Sequence, residues 1–268
     1  MSQRLIVDVG MHTGRDTAFY LQKGFRVAAV EANPALAAAG RESFRSEIEC
    51  GRLAIHEVAI ADRVGEISFY LNDAHSDWGT ISESFAKRNE NLGTKNTPVT
   101  VPCTTFDTIL RQYPTPYYIK IDIEGADLLC LQALRQFPER PRFVSLESGL
   151  KSFEETFGEL SLLWELGYRR FKIVNQALND RVRCPNPPLE GDFVDARFDG
   201  ECSGPFGEEA PGRWMGIEQT FVDYRKLLKE QRLFGAGGRY HATALHRWYE
   251  RICREPVGWY DIHARLGE

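Results

Sequence analysis

Long apolar runs are missing from this 268-residue chain. No stretch approaches the roughly 18 to 20 apolar residues that a spanning helix requires, so no membrane partner is expected. Paired cysteines are missing too. Cys50, Cys103, Cys130, Cys184, Cys202 and Cys253 are scattered with no C-x-x-C pair, which speaks against a zinc centre or a disulfide framework and for a reducing, cytoplasmic setting. One Arg and a short apolar run precede Asp8, too little for a secretory signal. Excess positive charge is also lacking: 33 Lys and Arg stand against 38 Asp and Glu, a net charge of −5, and no nucleic-acid partner is expected. The balance is uneven locally, because residues 225–255 hold eight Lys or Arg against three Glu. A solvated helix face accounts for this, and contact with an anionic substrate or carrier is the alternative. There is no G-x-G-x-x-G fingerprint, internal repeat or low-complexity tract. What is present, 43% hydrophobic and 26% charged residues, is the composition of a folded protein.

The segments alternate. Apolar runs at 4–10, 25–34, 53–62, 117–123, 142–148 and 169–176 read as strands, and helical patterns at 13–24, 35–48, 105–113, 126–137 and 152–167 lie between them. That rhythm predicts an α/β protein with a doubly wound, Rossmann-like parallel sheet. "GEISFYLN" and "TPVTVPC" add edge strands, separated by a polar segment expected to be a long loop. Residues 177–256 are rich in Gly and Pro at first and then contain helical stretches at 217–232 and 241–254. Residues 257–266 alternate again and are expected to return beside 169–176. The chain therefore reads as one domain, with a core of 1–176 plus 257–268 and an inserted substrate cap at 177–256.

In such sheets ligands bind at the carboxyl ends of the strands. Four strands end in acid here: Asp8, Glu31, Asp122 with Glu124, and Glu147. Gathered on one rim, these carboxylates repel one another unless a cation sits among them. The stretch "YYIKIDIEG" sharpens the point, because strand alternation puts Lys120, Asp122 and Glu124 on one face. Lys120 is expected to neutralise the acids, with Glu147 as a partner. The first turn, "DVGMHTG", has Asp8 two residues before Gly10 and His12 where a dinucleotide fingerprint has glycine. An acid there repels a pyrophosphate but suits the ammonium of a methionine moiety. Glu31, 17 residues beyond Gly14, has the spacing of an acid that holds ribose hydroxyls.

"VDVGMHTGRDTAFYLQKGFRVAAVEANP", followed by "TTFDTIL", "IKIDIEGAD" and "RFVSLE", resembles the FkbM family of S-adenosylmethionine (SAM)-dependent methyltransferases over roughly residues 5 to 176. The resemblance implies the class I methyltransferase fold, a seven-stranded sheet with an antiparallel last strand, and methylation of hydroxyl groups on small molecules or sugars. By that resemblance Asp8, Gly10, His12, Thr13 and Gly14 form the SAM turn, Glu31 clamps the ribose with Ala32 and Asn33 beside it, and Asp62 with Ala59 and Ile60 lies along the adenine. The long C-terminal segment is not a general feature of the family.

SAM is already an activated electrophile, so positioning supplies much of the rate. Asp122 and Glu124 are expected to point at the methionine end of the cofactor and the substrate. An acceptor alcohol must still lose a proton, and Asp122, Glu124 and His75 are the candidates to take it. His75 and Trp78 lie in a loop able to cover the pocket, whereas Phe206, Arg213 and Trp214 of the cap are candidates for an aromatic wall and an anion-binding point for the acceptor. No metal is expected: Asp73, Asp122 and Glu124 offer hard oxygens, but nothing in their spacing compels a site. The alternatives are a non-catalytic SAM-binding scaffold, a carboxylate or nitrogen acceptor, and a nicotinamide enzyme, which Asp8 disfavours. Oligomeric state is left open, a homodimer included.

Overall fold

A computed structural model describes residues 4–148, 150, 152–235, 238–253 and 255–267. The chain divides into two compact units, the division falling between Val144 and Ser145, inside a strand.

The first unit opens with β1 (Leu5–Val9), buried along its whole length. Apolar residues on both faces suit it to a central position. Next come α1 (Arg15–Gln22) and β2 (Arg26–Val30). Asn33 caps α2 (Pro34–Ser43), its side chain accepting from Ala35 N at 3.0 Å, with Pro34 in the first turn. The helix expected over 35–48 is in fact two, because Phe44 leaves helical geometry before α3 (Arg45–Glu49). The Phe44 ring packs where a Cβ on Gly14 would project, a tertiary contact no local pattern announces. The strand expected over 53–62 is also two. β3 (Leu53–His56) pairs with β2, while β4 (Ala59–Ile60) joins a different sheet.

β5 (Gly65–Asn72), α4 (Glu83–Asn91), β6 (Asn96–Thr104), α5 (Phe106–Leu110), β7 (Tyr118–Ile121) and α6 (Asp127–Ala133) complete this unit. The main sheet runs β3-β2-β1-β7, with every ladder parallel. β5 and β6, expected as added edge strands, instead form a separate sheet of order β4-β6-β5, in which β5 is antiparallel to β6. The expected loop between them contains α4. Its residues favour helix, and Asn96 Nδ2 donating to Ala86 O at 2.8 Å ties it to β6.

β8 (Phe143–Ser148) begins in the first unit, where Phe143 N donates to Tyr117 O at 3.1 Å, and ends in the second. The second unit continues with α7 (Phe153–Glu165), β9 (Tyr168–Asn175), α8 (Ile217–Phe234), α9 (Ala244–Cys253) and β10 (Tyr260–Leu266). Residue 254, the last of the helix expected over 241–254, lies outside the described residues. The strand order is β8-β10-β9, and β10 runs antiparallel to β9. The closing strand thus lies beside the segment its alternation pointed to.

Residues 203–215 are built into this unit. Phe206 is fully buried. Lys172 of β9 donates to Ala210 O at 2.6 Å and Glu208 O at 3.1 Å, and burial pulls its ammonium down to about 8. Trp214 Nε1 donates to Glu208 Oε2 at 2.7 Å, while the Arg265 guanidinium reaches Glu208 Oε1 at 2.8 Å and lies 5.2 Å from the Trp214 ring. Arg213 is exposed. Phe206 therefore packs the unit internally, because a ring without surface cannot wall a substrate. Phe206→Ala is expected to lower stability to denaturant by about 3 to 5 kcal/mol. Unchanged unfolding would contradict this packing role.

Candidate functional site

The carboxyl ends of β1, β2 and β7 carry the polar residues of the first unit. Lys120, on the last turn of pleat in β7, is buried, with its Nζ 3.3 Å from Asp16 Oδ2, 3.4 Å from Asp122 Oδ2 and 3.7 Å from Asp8 Oδ1. It also donates to Gly10 O at 3.2 Å. Burial opposes its charge, but Asp122, Asp8 and Asp16 outweigh that and hold its pKa well above the ordinary lysine value. Asp16 was not among the expected acids. As a first-turn acid of α1 it looks like an ordinary helix-dipole partner, and only the fold turns it inward.

Asp8 is fully buried and accepts from Thr17 Oγ1 at 2.6 Å through Oδ2, while its Oδ1 accepts no hydrogen bond. Burial raises its carboxyl to about 6, with Asp16 and Asp122 adding to the rise and Lys120 opposing it. An enclosed carboxylate acts on a ligand through its field. The contact with a methionine ammonium expected of Asp8 is therefore not available to it in this conformation. Asp122, with its side chain 42% exposed, is the acid of this group that reaches the surface.

The turn after β1 is shaped by left-handed backbone. Gly10 has φ +91°, and a Cβ there would collide with the Asp122 carbonyl, so the turn and the end of β7 approach closely only because the residue is glycine. His12 also takes positive φ, at 52°, in the place where a dinucleotide fingerprint would put glycine. Its N–H donates to Glu31 Oε2 at 2.7 Å, and its Nε2 lies 2.7 Å from Ser76 Oγ. Glu31 Oε1 accepts from Asn33 N at 2.8 Å. Burial lifts Glu31 to about 7 against the pull of those two backbone donors. Its carboxylate is thus fixed in place beside the turn.

Asp122 and Glu124 do not extend one strand face. β7 stops at Ile121; Asp122 N donates to Val9 O at 2.9 Å, and the Asp127 carboxylate accepts from Ile123 N at 3.2 Å and Gly125 N at 3.1 Å, which turns the chain. Glu124 sits in that turn at φ 47°. Thr80 Oγ1 donates to its carbonyl at 2.6 Å, and Arg88 of α4 reaches its Oε2 at 3.4 Å. Burial, then Asp122, raises Glu124 to about 7, and Arg88 opposes the rise. Thr80 and Arg88 escaped the sequence reading because their segment looked like a loop. The helix-forming run around Ala86 was the available signal.

The remaining candidates are dispersed. Ala32 packs with Ala59 and Ala61 in the core of the small sheet, and Ile60 is buried beside them in β4. Thr13 is exposed, as is Asp62, which lies 3.4 Å from Arg63. His75 is exposed and stacks on Trp78, with ring centroids 4.2 Å apart. Asp73 accepts from Lys95 N at 2.8 Å. Glu147 lies half-buried on β8 in the second unit. Among the described residues, no three His, Cys, Asp or Glu gather as a metal site, and no helix is long and apolar enough to cross a membrane.

The chain matches the Methyltransferase FkbM domain over residues 8–170, more than half its length, and belongs to that family of SAM-dependent methyltransferases. No curated protein sequence matches it. Solved structures that resemble it include methyltransferase FkbM from Methylobacillus flagellatus KT (16% identity, 54% of this chain and 32% of that chain, TM-score 0.36). Others are precorrin-6y C5,15-methyltransferase from Geobacter metallireducens GS-15 (15%, 65% and 67%, 0.36) and a putative rRNA-methylase from Clostridium thermocellum (13%, 63% and 75%, 0.36). The match thus spans about a third of the Methylobacillus chain. At such scores these likenesses carry no weight, and family membership follows from the sequence match.

Two outcomes follow from the geometry. Gly10→Ala is expected to cost about 3 to 5 kcal/mol in urea unfolding, from positive φ and the collision with Asp122 O together. The raised pKa of Glu31 means that the folded state holds its proton more tightly than the unfolded chain does. Its contribution to stability is therefore greatest at low pH and declines as pH rises from the ordinary glutamate value toward about 7. Glu31→Gln should remove that decline, gaining up to about 3 kcal/mol relative to the parent between about pH 5 and pH 8. Thermal unfolding at the two pH values measures it, and parallel parent and variant curves would contradict the assignment.

Proposed function

We propose that this chain carries the methyl group of SAM to a hydroxyl oxygen on a small molecule or sugar, on a doubly wound sheet of the class I methyltransferase kind. The observation that supports this most is the crowding of carboxylates around Lys120 beside the fixed Glu31. Three acids surround one ammonium, and the negative excess favours a cationic ligand over a pyrophosphate. SAM supplies a sulfonium-activated methyl group and brings no phosphate.

The residues divide the work. Glu31, its carboxylate already aligned by His12 N and Asn33 N, holds the ribose hydroxyls. The Gly10–Gly14 turn carries the methionine portion within the field of Asp8, and Ala59, Ile60 and Asp62 border the adenine. Asp122, the exposed acid of the cluster, orients the acceptor. Glu124 takes the acceptor proton: a carboxyl raised to about 7 is basic enough to accept it and is substantially ionised near neutral pH. His75 and Trp78 shield the reacting atoms from water.

Calorimetric titration with S-adenosylhomocysteine and with NAD tests the ligand. Binding of the first and not the second is expected, and Glu31→Ala should weaken it at least about tenfold, the worth of one charge-assisted hydrogen bond. Uptake of NAD alone would sink the proposal. Methyl transfer from labelled SAM to a panel of sugars and hydroxylated metabolites tests the chemistry. Asp122→Asn and Glu124→Gln should each lower turnover by about 10² to 10⁴ and leave S-adenosylhomocysteine binding within a few-fold of the parent. Full turnover in either variant would remove that residue from the mechanism.

A further inference from the structure

α9 presents its apolar residues outward. His246 and Tyr249 form its inner side: His246 is buried, and the Tyr249 ring stacks on Phe234 with centroids 4.3 Å apart. Glu250, a third exposed, accepts from Val257 N at 3.2 Å and lies beside Arg251. The opposite side carries Leu245, Trp248 and Ile252, which are 44%, 60% and 58% exposed. Their spacing of three and four residues places them in one row along the helix. Arg247 and Arg251, both exposed, follow along one flank of that row. A solvent-facing helix normally shows polar residues there.

We propose that this face of α9 docks onto an anionic lipid surface, with Leu245, Trp248 and Ile252 entering the headgroup boundary and Arg247 and Arg251 meeting lipid phosphates. The pattern has the physical make-up of an interfacial helix: an apolar row containing tryptophan, bordered by cations. Area and charge decide between occupants. A row of three side chains on a convex helix falls well short of the roughly 800 Å² per partner of a stable protein interface, whereas a bilayer accepts a ridge without needing a matching groove. A second copy would bring the arginines of both helices together. The chain's net charge of −5 does not prevent docking, because charges farther away than about 8 Å are largely screened at physiological salt. The stretch 225–255 around α9 is locally basic, with eight Lys or Arg against three Glu.

Co-sedimentation of the full chain with vesicles tests this, using phosphatidylcholine alone and phosphatidylcholine with about 30% phosphatidylglycerol. Binding to the second and not the first is expected, with a blue shift of tryptophan emission that Trp248→Ser abolishes. The double variant Arg247→Gln/Arg251→Gln should lose about thirtyfold in vesicle affinity, and Leu245→Ser/Trp248→Ser/Ile252→Ser at least about tenfold. All five side chains lie outside the core, and Arg247 adds one exposed hydrogen bond, to Ala242 O at 3.1 Å, so thermal unfolding of both variants should stay close to the parent and confirm that they fold. Absence of binding to the anionic vesicles, or undiminished binding by the triple variant, would overturn the proposal. So would a concentration-dependent dimer that the triple variant abolishes, since that outcome assigns the face to a second copy.

Discussion

One buried ammonium fixes the rim of the first unit. Lys120 joins β1 through Asp8, α1 through Asp16 and the end of β7 through Asp122. An isolated ammonium at that depth costs several kcal/mol in lost hydration, and its neighbours must return that energy. The carboxylates have the converse problem, because without Lys120 they would repel one another inside the protein. The solution is mutual but unequal: three acids against one base leave negative charge in excess. The interaction that joins β1, α1 and the end of β7 thus also leaves the rim negative.

Two further acids have the same elevated pKa and different supports. Glu31 is raised to about 7 mainly by burial and is gripped by backbone donors from His12 and Asn33. Glu124 is raised to about 7 by burial and by Asp122, and is gripped from outside its own turn by Thr80 and Arg88. The first carboxylate is as rigid as the turn after β1. The second depends on the segment containing α4, which places its backbone in the left-handed region at φ 47°, a conformation that persists only where surrounding contacts hold it.

The parallel strands were legible because alternation and apolar runs are local signals, and so was the first turn, since Asp8, Gly10 and Gly14 lie within seven residues. Family membership came from the same stretch and its echo at 117–127. Other features had no local trace. Lys120, Asp122 and Glu124 look like one strand face, yet hydrogen bonds from Ile123 and Gly125 to Asp127 end that pattern after Ile121. Phe206 sits among glycines and prolines like a loop aromatic, and the turn pinned by Lys172 buries it.

The sequence alone determined the periodicities, the acidic turn in place of a phosphate-binding one, and the family. These depend on residues a few positions apart, whose backbone preferences are fixed before the chain folds. Tertiary structure decided which charges meet, which acids are enclosed and which apolar side chains stay outside. Lys120 reaches Gly10 across 110 residues of chain. Contacts at such separations arise only from packing, and burial then sets the charge state of each group brought together.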